Sequence, residues 1–141
     1  MTPAALSELI RLSQAQQDAD AAHLQIIHTE EKRLRAQLAA LDCRHKTTQS
    51  LNLEETLPQR RLGVDMLWQV WVGRRRRDLQ IQLAHCLARK GAAKRALQKS
   101  FGKRFALERV FEKEQLVMHH AEQITNFSKV TQLGILHYRR S

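Results

Sequence analysis

Apolar residues in the first third of the chain recur at alternating spacings of three and four. Leu24, Ile27, Glu31, Leu34, Leu38 and Leu41 follow this repeat with one polar interruption. It is the seam of a coiled coil. Extended backwards, the same register reaches Asp20, Gln17, Ser13, Ile10 and Leu6, so the seam is polar in its middle and apolar again at its start. The polar middle reads as a weakly packed segment or as a partner surface. The weaker packing is the commoner case, because coiled coils tolerate such breaks at a cost in stability. Thr2-Pro3 supplies a capping hydroxyl followed by proline in the first turn, which predicts a helix over about 3–42.

From Cys43 to Leu57 the repeat is not visible. Thr47, Thr48, Ser50 and Asn52 compete for helical hydrogen bonds, and a loop is expected over about 43–57. Thr56-Leu57-Pro58-Gln59 matches a capping box with proline in the first turn. A second helix is therefore expected from about 58 to 138, with no proline after Pro58 to stop it. At ~1.5 Å per residue that helix spans on the order of 110 to 120 Å, about twice the first. If the two pack antiparallel, its end overhangs the start of the first helix. Val64, Trp68 and Trp71 keep the same spacing, and that register then meets Arg75 and Asp78. Leu79, Leu83 and Cys86 open a new apolar face that Leu97, Leu107 and Phe111 continue, which predicts a register slip near the arginines. Gly63, Gly73, Gly91 and Gly102 each cost the helix ~1 kcal/mol relative to alanine and predict local bending rather than breaks.

The stretch from Val117 to Ser141 is apolar without being a clean continuation. Ile124, Phe127 and Thr131 share a face, Gly134 is a candidate helix end, and helix 1 is too short to cover this segment. The tail is therefore expected to fray, bend separately or meet a partner. The fold class is all-α: two long helices in an antiparallel coiled-coil hairpin, forming a single domain over 1–141.

Composition supports this. Aromatic residues are 5% of the 141, with two prolines and five glycines. Such usage fits long helix, not an ordinary globule. A two-helix seam buries little, so modest stability and a gain on partner binding are expected. The net charge is +10 and is localised: Arg74 to Arg104 holds eleven basic residues and one acid, while the rest holds thirteen of each sign. A basic field of this kind attracts acidic protein surface, nucleic acid or anionic lipid. Cys43 and Cys86 form no close motif, which fits a reducing compartment. No apolar run approaches the ~18 residues of a membrane span, and no secretory leader pattern is present, so no transmembrane segment and a cytoplasmic location are expected.

The sharpest local signal is Arg74, Arg75, Arg76 and Arg77. Four consecutive helical positions reach every face, so one arginine must lie near the seam, its stem packed and its guanidinium on a rim acid. The others form a solvated charge run or make bidentate contacts to carboxylate or phosphate. Arg95, Lys99 and Lys103 recur every four residues, with Lys90 and Lys94 alongside. Such like-charge spacing costs the helix a few tenths of a kcal/mol per pair. Trp68 and Trp71 are core aromatics by spacing, and beside four arginines they also resemble an interface anchor. The histidines give no metal set: His119 and His120 point about 100° apart on a helix, as do His85 and Cys86. No acid–base pair, Ser-His arrangement or glycine-rich phosphate loop is readable. The chain reads as a non-enzyme without cofactor.

The short-helix, loop, long-helix plan, the size, and the charged stretch Lys103 to Gln115 (KRFALERVFEKEQ) resemble the FliJ/YscO-type stalk proteins of flagellar and type III secretion export machines. The apolar C-terminus departs from the highly charged tail usual in that family. The resemblance implies a cytosolic antiparallel coiled coil that inserts into a hexameric export ATPase. It also implies contact with the cytosolic domain of the export gate, and with secretion chaperones, at the cytosolic face of the inner membrane. Trp68, Trp71, the arginine run and the lysine stripe are the candidate contacts. The competing function is a basic coiled coil that holds nucleic-acid phosphates without reading sequence. A membrane-surface helix is a third reading, disfavoured by the lack of a clean amphipathic face beside the basic belt.

Overall fold

A computed structural model describes residues 2–54 and 58–140, apart from the side chains of 52–54 and 58–62. Two helices account for these residues: α1, Pro3–Glu54, and α2, Pro58–Arg140. They pack against each other as a helical hairpin, which is the expected all-α class. At the start of α1 the Ala5 N–H donates to the Thr2 hydroxyl at 3.4 Å and the Leu6 N–H to the Thr2 carbonyl at 3.1 Å, the cap expected of Thr-Pro. The chain divides into two compact units: Met1–Asp18 with Gln98–Ser141, and Ala19–Leu97.

The expected loop over 43–57 is corrected on its N-terminal side, since α1 continues to Glu54. The hydroxyls of Thr47, Thr48 and Ser50 donate back to the carbonyls of Cys43, Arg44 and Thr47 at 3.0, 2.9 and 2.8 Å. These residues satisfy themselves inside a helix, and no glycine or proline intervenes to end it. The 4-3 repeat persists through them, because His45 and Thr48 are half-buried in register with Leu41. The expected capping residues Thr56 and Leu57 lie outside the described residues.

In the unit Ala19–Leu97 the core is one cluster: Ile27, Leu34 and Leu41 of α1 against Val72, Leu79, Cys86 and Ala93 of α2, flanked by Leu24, Leu38, Trp68 and Leu83. The pairing is antiparallel. Cys86 Sγ donates to the Ile27 carbonyl at 3.6 Å, Arg89 pairs with Glu30 at 2.8 Å, and Arg76 pairs with Asp42 far earlier along α2. The α1 seam is the one predicted. The α2 seam is so only in part. Val72, Arg76, Leu79, Leu83, Cys86, Lys90 and Ala93 turn inward at unbroken 4-3 spacing, with Trp68 before them. The register slips once near the arginines, as expected: Trp68, Val72 and Arg76 follow one another at two successive spacings of four, and Trp71, Arg75 and Asp78 face solvent.

In the unit Met1–Asp18 with Gln98–Ser141, Leu6 is fully buried and Ser100, Arg104, Leu107, Phe111 and Glu114 carry the same spacing on α2. Arg104 donates to Gln14 and lies 3.2 Å from Glu108. Pro3 shares a shallow groove with Glu114, Val117 and Met118. From Gln115 to Arg140 every described residue of α2 is exposed. The helix runs through Gly134, the expected end.

Candidate interaction surface

Four features bear on function, three of them within the unit Ala19–Leu97. The first is a polar layer in its seam. Glu31 is only 6% exposed. Its carboxylate accepts from Lys90 Nζ at 2.5 Å and from Arg35 Nε at 3.0 Å, and His28 Nδ1 lies 3.6 Å away. The Lys90 hydrogen bond, helped by Arg35 and opposed by burial, lowers the Glu31 pKa from 4.5 to about 2. Lys90, a candidate partner residue by sequence, is thus spent inside the chain.

The second is Arg76. It is the one member of the arginine run turned to the seam, and its guanidinium reaches Asp42 on the rim. That is the arrangement the four-residue argument required. Its neighbours Arg74, Arg75 and Arg77 are exposed and make no ion pair with a described residue.

The third is the tryptophan pair. Trp68 packs against the core, and Trp71 stacks on its outer side with ring centroids 5.1 Å apart and planes 19° from parallel. Trp71 remains 49% exposed, and the buried indole N–H of Trp68 has no partner among the described residues. Val64 and Leu67 share the outer face of Trp71 at helical spacing, Leu67 being 72% exposed. Sequence reasoning missed both. Val64 had been assigned to the seam, and the signal against that is its offset by one residue from the register of Asp65, Trp68 and Val72.

The fourth is the basic stripe, which divides between the units. Lys94 and Arg95 are exposed in Ala19–Leu97, and Lys99 and Lys103 are exposed in the other unit. None of them makes an ion pair with a described residue. Among the described residues, no group of three or more His, Cys, Asp or Glu is placed to hold a metal ion, and no helix is long and apolar enough to cross a membrane. Comparison with family models, with characterised proteins and with solved structures finds no match for this chain.

Proposed function

We propose that the chain is a non-catalytic coiled-coil stalk or adaptor of a type III protein export apparatus, flagellar or injectisome. It engages the hexameric export ATPase and the cytosolic domain of the export gate, and secretion chaperones, from the cytosolic side. The observation that carries this reading is the outer face of α2 in the unit Ala19–Leu97. There Trp71 stands half-exposed on Trp68, with exposed Arg74, Arg75 and Arg77, which make no ion pair with a described residue, beside it. Exposed tryptophan and arginine are the side chains that dominate protein interfaces, and arginine forks match carboxylates on a partner. A hairpin that presents different side chains around its circumference has different affinities for the subunits of a ring. Differential affinity of that kind is what lets a stalk bias their states. The resemblance in plan and in the Lys103–Gln115 stretch supports the same reading.

The test is a pull-down with the full chain from cells that carry an export apparatus. Retention of a hexameric ATPase that survives nuclease treatment is the expected result. Trp71→Ala combined with Arg74→Ala should weaken that retention by roughly thirtyfold or more, the loss typical of an interface hot spot. Retention of nucleic acid instead, released steeply by salt, would replace the stalk by the phosphate-binding reading.

A further inference from the structure

In the unit Met1–Asp18 with Gln98–Ser141, the seam is apolar at the start of α1 and polar behind it. Leu6 is the one buried apolar side chain of this unit among the described residues. Leu9 and Ile10 beside it are half-buried. From there to Asp18 the inward positions of α1 are Ser13, Gln14 and Gln17, and those of α2 include Ser100 and Arg104. Ser100 is buried, and Arg104 donates to Gln14. The Gln17 Oε1 is buried without a hydrogen-bond partner among the described residues, which destabilises the closed pairing. The unit Ala19–Leu97 differs, because seven buried apolar side chains form one cluster there.

We propose that residues 3–18 are a releasable strap, which leaves α2 as one piece while the pairing within Ala19–Leu97 holds, and which thereby sets how often Leu107 and Phe111 of α2 are uncovered. The order of side chains along the strap carries this. An ordinary helix end frays because its last turns are held least. Here the grip lies in the first turns, at Leu6, Leu9 and Ile10, and the weak part follows it. Once Leu6 lets go, no apolar seam residue remains between Ile10 and Asp18 to stop the release. The polar layer loses little on opening, since Ser13, Gln14, Ser100 and Arg104 exchange protein partners for water, and Gln17 gains a partner it lacks. The result is a small cooperative unit that opens at lower free energy than the rest of the hairpin. Closed, the strap keeps Leu107 and Phe111 half-buried; open, it exposes them. The device does not depend on what the Trp71 face binds.

Residue-resolved amide hydrogen exchange of the full chain tests this, because a helical end without a packing partner is marginal in water and its amides exchange on release. The amides of 7–18 should share one protection level, at least about tenfold below that of 24–41. Leu6→Ala should accelerate exchange over all of 7–18 together, by about tenfold or more, and leave 24–41 unchanged. Gln17→Leu, which replaces the unpartnered amide by an apolar side chain of similar size, should slow exchange over the same residues together. Protection that climbs steadily from 7 to 18, with Leu6→Ala felt only in the first turns, would mean plain end fraying and overturn the proposal. Equal protection of 7–18 and 24–41 would overturn it too, as the hairpin would then open only as a whole. So would a Gln17→Leu chain whose 7–18 amides exchange as fast as wild type.

Discussion

Glu31 occupies a position where the 4-3 repeat otherwise calls for an apolar side chain, and its neighbours explain why it is tolerated. Lys90 and Arg35 give the carboxylate two charge-assisted hydrogen bonds inside the seam. A buried polar layer of this kind fixes register, because sliding one helix along the other would bury the carboxylate without its lysine. The stability consequence follows from the lowered pKa. A carboxylate whose folded pKa lies below its unfolded value stabilises the fold fully above the unfolded value. It loses that contribution as pH falls through the folded one. For Glu31 the window runs from 4.5 down to about 2. Thermal melts should therefore show stability declining across that interval in the wild type, with a shallower decline in Glu31→Gln. Equal slopes would mean that the Lys90 contact does not persist in solution.

At the scale of the element, the seam of α1 was legible throughout and that of α2 only in part, for a physical reason. Every α1 position predicted inward, from Leu6 to Leu41, is buried or half-buried. Its seam is rich in leucine and isoleucine, so counting apolar residues finds it. The α2 seam includes Arg76, Lys90, Ala93, Ser100 and Arg104. An apolar count passes over those residues, and Trp71 draws it to the wrong face. Arg76 and Lys90 are identified by their partners across the hairpin, Asp42 and Glu31, which no single-helix pattern displays. Thr47, Thr48 and Ser50 misled in the opposite direction, as turn formers that bond back within the helix. The exposed tryptophan beside arginines was visible in the sequence; that Arg76 and Lys90 pair within the hairpin, and that Val64 and Leu67 are exposed on the face of Trp71, was not. Gly63, Gly73, Gly91 and Gly102 were read correctly as non-breaking, whereas Gly134, read as a candidate end, is also passed by the helix. Gly73 and Gly102 have open space where a Cβ would stand and no positive φ. Gly73→Ala and Gly102→Ala should therefore each stabilise the fold by about 0.5–1 kcal/mol in denaturant titrations. A loss at Gly73 would mean that its bareness serves something other than the helix.

For the whole molecule, chemical reactivity divides as burial does. Cys43 is exposed, and Cys86 is completely buried with its thiol directed at the Ile27 carbonyl. A thiol reagent should consume one equivalent quickly in the native protein and the second only on denaturation, because a buried thiol is inert. Two fast equivalents would contradict the antiparallel register that places Cys86 between the helices. The same sulfur can also serve as a clock. If it is labelled only when the strands of the hairpin part, its slow rate counts those openings under native conditions. Any protein that clamps the pair would slow the clock, and any that pries it open would speed it up. One native atom thus distinguishes a binder that holds the hairpin shut from one that remodels it.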